Sequence, residues 1–138
     1  DKPVIAQVHG FAMGAGLDMA LMCDIRITAK STKISESYIN VAIVPGDGGA
    51  YYLPKLIGID QALDMFWTAR VLTAEEAKAK GIVTFVVEDE ALEEYTLQYA
   101  QELASRPTTT VQFIKRAVYQ SQRMDLRTNG DCNRTRRF

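Results

Sequence analysis

The chain has 138 residues, about one domain on the usual prior, and its hydrophobic content of 47% supplies a buried core and argues against disorder. A net charge of −1 gives no global field for nucleic acid or an anionic membrane surface. Cys23 and Cys132 lie far apart and no apolar run reaches membrane-spanning length, so the expectation is a reducing, cytoplasmic setting with no disulfide framework, no metal site and no membrane partner.

The elements read in chain order as follows. Pro3 to Val8 is an apolar run that reads as a buried strand, and residues 15–22 read as a helix. Between them, His9-Gly10-Phe11-Ala12-Met13-Gly14 reads as a Gly-rich turn. Such a turn leaves backbone N–H groups unpaired at the helix start, where the dipole is positive. That place binds an anion or stabilises an oxyanion as it forms. Asp18 lies on the first turn of the same helix. Residues 24–29 alternate and are rich in Ile and Thr, a strand; strand, helix and strand imply a parallel crossover.

Residues 30–33 read as a turn. Residues 34–44 read as a short strand, one helical turn and the apolar stretch Val41-Ala42-Ile43-Val44. Pro45-Gly46-Asp47-Gly48-Gly49 is a loop signal, followed by a short helix over 50–57 that Gly58 ends. Residues 60–68 read as a helix with Ala62, Leu63, Phe66 and Trp67 on one face. Thr73-Ala74-Glu75-Glu76 is a capping box opening a helix over 74–80, which Gly81 stops. Residues 82–87 read as a strand, and helices follow over about 89–105 and 108–124. The polar, basic end from residue 126 reads as a disordered tail or a foreign terminus. The βαβ order followed by helices indicates an α/β layer with a helical C-terminal part.

Single side chains give weaker signals. Cys23 reads as a buried thiol, His9 as structural, and Glu36 as exposed or salt-bridged. Gly10 to Gly16 is no dinucleotide fingerprint, because the spacing fails at Met19.

Gly10 through Asp24 resembles the second half of the core of the enoyl-CoA hydratase/isomerase (crotonase) family. Ile43 to Gly49, Leu53 to Gly58, Ala69 to Ala77 and Lys80 to Val83 are similar to the stretches that follow there, in the same order, so that the likeness runs from about residue 3 to about residue 125. The resemblance implies a crotonase-like ββα spiral, with the N-terminal half of the fold expected outside this chain. Residues 1–88 would belong to the core and 89–125 to a helical oligomerisation region. Family members bind acyl-CoA thioesters and form trimers, often dimers of trimers. Acyl-CoA and a homo-oligomer, trimer or hexamer, are therefore the expected partners, with no nucleic acid. No cofactor is expected beyond the coenzyme A thioester as substrate.

The resemblance also assigns roles. Ala15 would give one of two backbone N–H groups that hold the thioester oxygen; the other would come from the N-terminal half. Family hydratases use two glutamates. The first position is Asp18, one methylene shorter, and the second is Tyr38. A phenol with its ordinary pKa near 10 is a poor base at neutral pH, and Tyr38 also reads as a pocket-wall aromatic. Asp47 lies one residue past the place where some isomerases and dehalogenases carry an aspartate, a place held here by Gly46. The expected catalytic set is Ala15, Asp18, Tyr38 and Asp47, with Gly14, Gly16, Pro45 and Gly46 contacting substrate. The implied activity is stabilisation of a thioester enolate. The alternatives are a catalytically silent fragment or assembly subunit, or a family member with a different reaction, isomerisation or hydrolysis.

Overall fold

The structure, a computed structural model, describes residues 2–122; the expected tail and Cys132 lie outside the described residues. The elements are β1 (Ile5–Val8), β2 (Phe11–Met13), α1 (Ala15–Leu21), β3 (Ile25–Ala29), β4 (Lys33–Ser35), a 3-10 turn (Tyr38–Val41), α2 (Gly49–Ile57), α3 (Ile59–Thr68), β5 (Leu72–Thr73), α4 (Ala74–Ala79), β6 (Phe85–Val87), a short 3-10 turn (Asp89–Ala91), α5 (Leu92–Ala104) and α6 (Thr108–Ser121). They fall into a unit of Val4–Tyr99 and a second unit containing the described residues from Ala100 onward.

The strands form two three-stranded sheets. The order β1-β3-β6 is parallel throughout, with Ile5 opposite Ile25 and Ile27 opposite Phe85. This is the expected crossover, with α1 between its first two strands. The second sheet, β2-β4-β5, pairs Met13 with Ser35 in parallel and Ile34 with Leu72 antiparallel. The chain therefore alternates between the two sheets from β1 through β4, stays in the second for β5 and returns to the first for β6, which gives the spiral. Two strands were not expected. Phe11–Met13 and Leu72–Thr73 are too short to show alternation, and the first lies inside what reads as one glycine-rich turn. The apolar stretch Val41 to Val44 is not core: Val41, Ile43 and Val44 are all exposed.

The main core joins Leu17 and Leu21 of α1, Leu53 of α2, Met65 of α3 and Ile82 to Ala12 and Ile34 of the second sheet. A smaller cluster packs Leu92, Tyr95 and Tyr99 against Ile27 and Phe85 of the first sheet. The α1 helix is thus fixed by two buried leucines one turn apart, which sets the direction of Asp18 between them in the chain. Arg26, on β3, is buried as well; its Nε donates to the Ile82 carbonyl and its Nη1 to the Cys23 carbonyl, both at 2.7 Å. Cys23, expected to be buried, is half-buried, and its Sγ donates to the Met19 carbonyl.

Candidate active site

The site begins where β2 turns into α1. Gly14 is buried with φ of +49°, a conformation that costs a residue with a Cβ and not glycine. Its N–H donates to the Ser35 carbonyl at 2.9 Å, and its carbonyl accepts from the Asp18 N–H at 3.0 Å. The first bond ties the end of β4 to the start of the helix. Ala15 and Gly16 occupy the first two helical positions, whose N–H groups have no acceptor within the helix, and both residues are exposed.

One turn on, Asp18 is fully buried. The Tyr38 hydroxyl donates to Asp18 Oδ2 at 2.7 Å and lies 3.3 Å from Asp47 Oδ2. One hydroxyl proton thus serves two carboxyl groups, and the shorter bond is to Asp18. Tyr38 is placed by the 3-10 turn that follows β4, and Asp47 by the exposed loop before α2. Asp18, Tyr38 and Asp47, chosen from sequence as separate candidates, meet at a single oxygen. Burial first, then the bond to and charge of Asp18, then Asp47, push the Tyr38 phenol well above its ordinary range. It is a donor here and not a base.

Two residues of the site were not foreseen. Glu36, expected to be exposed or salt-bridged, is fully buried and adjoins Asp18. Burial first, and then the negative charge of Asp18, push its carboxyl up to about 8. The polar run Ser35-Glu36-Ser37 looks like surface. Burial runs unbroken through Ile34, Ser35 and Glu36, so strand alternation gave no signal for it. Gly49, read as loop, is the first residue of α2 and is buried. A Cβ there would lie 2.1 Å from Asp18 Oδ1.

The expected substrate-contacting residues do not converge on one cavity. Pro45 and Tyr38 line an apolar cavity of about 650 Å³, together with Ala50, Leu63, Phe66 and Trp67. Gly16 lines a shallower one of about 320 Å³ beside Phe11 and Met19. Gly14 abuts the Tyr38 ring, and Gly46 is exposed. His9, expected to be structural, is exposed on the wall of the shallower cavity. Among the described residues, no group of three or more His, Cys, Asp or Glu is arranged to hold a metal ion, and no helix is long and apolar enough to cross a membrane.

A family model described as enoyl-CoA hydratase/isomerase matches residues 1–136. The chain belongs to the enoyl-CoA hydratase/isomerase family. Its relatives include the mitochondrial methylglutaconyl-CoA hydratase of Mus musculus, 38% identical over 130 residues that cover 91% of this chain and 41% of the relative. A short-chain-enoyl-CoA hydratase of Clostridioides difficile is 35% identical over 94% of this chain and 83% of the relative. An enoyl-CoA hydratase structure from Geobacillus kaustophilus superposes with a TM-score of 0.93 at 36% identity, over 96% of this chain and 52% of that one. A Thermobifida fusca structure in complex with acetoacetyl-CoA gives 0.92 at 32% identity, over 95% and 51%. The chain spans about half the length of most of the family members it matches. The α/β fold of the chain is therefore that of the family.

Proposed function

We propose that the chain binds an acyl-CoA thioester and carries enolate-stabilised proton transfer of the hydratase/isomerase type. The observation that carries this reading is the exposed helix start at Ala15, one turn before a buried carboxylate that accepts from a buried phenol. In the proposed complex the Ala15 N–H holds the thioester oxygen. Charge develops on that oxygen in the transition state, so a fixed donor is worth more there than in the ground state. Asp18 moves the proton at the carbon next to the carbonyl. Tyr38 holds the Asp18 carboxylate in place, and Asp47 lines the reacting region from the loop. Gly14 and Gly16 let the thioester approach the helix start, and Pro45 and Gly46 border the acyl group. The coenzyme A thioester is the substrate, and no step draws on a separate cofactor. The names of the relatives and the acetoacetyl-CoA complex of the Thermobifida fusca neighbour support an acyl-CoA ligand.

Tyr38, in place of a second carboxylate, favours proton transfer by one carboxylate over water addition by two. Crotonyl-CoA hydration and double-bond migration in a 3-enoyl-CoA, assayed with the full chain, separate these. Asp18→Asn is expected to lower whichever rate is found by about 10²–10⁴-fold, the usual worth of a general acid–base group. Binding of acyl-CoA without turnover of either substrate selects the silent assembly subunit instead. Association into a trimer or hexamer through residues 89–125 is part of the same reading; the exposed Leu97, Ile114 and Val118 support it, and light scattering tests it.

A further inference from the structure

Glu36 is the buried acid that the proposed reaction leaves unused. It follows β4 directly, is fully buried and adjoins Asp18 on α1. Three oxygens of this pair, Glu36 Oε1, Glu36 Oε2 and Asp18 Oδ1, meet no N–H or O–H donor among the described residues. The fourth, Asp18 Oδ2, accepts from Tyr38. Gly49 closes the Oδ1 side so tightly that no Cβ fits over it. Two bare carboxylates in such a place would repel each other, with the single Tyr38 bond to offset their loss of solvation. A single proton between them ends the repulsion and supplies the donor that both lack.

The neighbours decide which carboxyl holds that proton. The Tyr38 hydroxyl already donates to Asp18, whereas no donor reaches Glu36 among the described residues. We propose that Glu36 is a positioning residue that carries its own proton and donates it to Asp18 Oδ1, so that the Asp18 carboxylate is clamped between two donors, Glu36 and Tyr38. The consequence for turnover rests on the role proposed for Asp18; the shared proton does not. Among the described residues the charged group acting on Glu36 is Asp18, with Tyr38 and Asp47 beyond it. The upward displacement of the Glu36 carboxyl to about 8 agrees with this arrangement. Above that pH the clamp loses its proton, Asp18 Oδ1 loses its donor, and a second charge enters the pair.

The test is a carbon-13 NMR titration of the full chain labelled at the glutamate side-chain carboxyls, with a parallel pH–rate profile on the acyl-CoA substrate. One glutamate signal is expected to titrate near pH 8 and to vanish in Glu36→Gln. In the rate profile, Glu36→Leu lowers kcat about a hundredfold, the scale of a 1 Å misplacement of a reacting group, with little change in KM. Glu36→Gln, whose amide N–H still donates, recovers most of that loss and has no alkaline limb near pH 8. The inference is overturned if every glutamate titrates in the ordinary range, or if Glu36→Gln and the unaltered chain share one pH profile. A titration near pH 8 without turnover of any acyl-CoA upholds the shared proton and overturns the proposed function.

Discussion

Gly49 lies directly over Asp18: a methyl group at position 49 would come within 2.1 Å of Asp18 Oδ1 and 2.9 Å of Asp18 Cγ. Helix α2 can therefore begin at this depth only with glycine, and its first turn sets one wall of the carboxylate pocket. Gly49→Ala forces the Asp18 carboxylate aside, away from the Tyr38 hydroxyl at 2.7 Å. The expected outcome is a chain that folds, with stability reduced by about 1–3 kcal/mol as for other overpacked cores. Its kcat falls about a hundredfold, since displacing a reacting group by 1 Å costs that much. Urea unfolding and steady-state kinetics on the same preparation check both.

Tyr38→Phe removes the one donor to Asp18 Oδ2 among the described residues while leaving the ring in the wall of the apolar cavity. A buried carboxylate oxygen without its donor costs about 1–3 kcal/mol. The expected outcome is a stability loss of that order and a fall in kcat larger than the change in KM, because the ring still lines the apolar cavity. Asp47→Asn is expected to change kcat much less. Its contact with Tyr38 is the longer one, at 3.3 Å, and Asp47 is exposed. Comparing the two variants measures how far the phenol serves Asp18 rather than Asp47.

The order of elements was legible in the sequence because periodicity, glycine stops and one capping box mark it. The helix over 15–22, the strand over 24–29 and the Thr73 cap lie where those signals put them. The site was legible one residue at a time: Asp18 by its place on the first helical turn, Tyr38 by its match to a family position, and Asp47 by lying one residue past another. That their side chains converge on one oxygen is tertiary information, set by the Met13–Ser35 register and the Gly14 pivot. Glu36 was misjudged for a physical reason. A glutamate between two serines is usually solvated, and Ile34, Ser35 and Glu36 are all buried, so no alternation along the strand marks it. Gly49 was hidden because a glycine needed for close approach looks the same in sequence as a glycine needed for a turn.

Stability is expected to depend on pH through Glu36. Its carboxyl lies at about 8 in the folded chain against an ordinary 4.5. Between these values the folded chain holds a proton that the unfolded chain has released. The contribution is therefore fully present below about pH 4.5, is lost as pH rises toward about 8, and is gone above it. The slope in that window is at most about 1.4 kcal/mol per pH unit, one proton's worth. Urea midpoints measured from pH 5 to pH 8 are expected to fall, and Glu36→Gln is expected to flatten the decline because its amide does not titrate. Midpoints that rise with pH in both chains would contradict this.

The Thr73 cap separates scaffold from site. Its Oγ1 accepts from the Glu76 N–H at 3.2 Å, and the Glu76 carboxylate accepts from the Thr73 N–H at 2.8 Å. The Thr73 N–H first, and then the Thr73 hydroxyl, which donates to the same carboxylate at 2.9 Å, hold the Glu76 carboxyl below its ordinary range. The cap starts α4, whose Ala77 packs into the main core with Leu72 and Ile82, and among the described residues no hydrogen bond links Thr73 or Glu76 to Asp18 or Tyr38. Thr73→Ala is expected to cost about 1 kcal/mol, the usual worth of an N-cap hydroxyl, and to lower Tm by several degrees. At temperatures where the chain stays folded, kcat and KM are expected to match those of the unaltered chain. A fall in kcat with no fall in Tm would place α4 in the reaction and break the division between a capped scaffold and a carboxylate site held by Tyr38, Glu36 and Gly49.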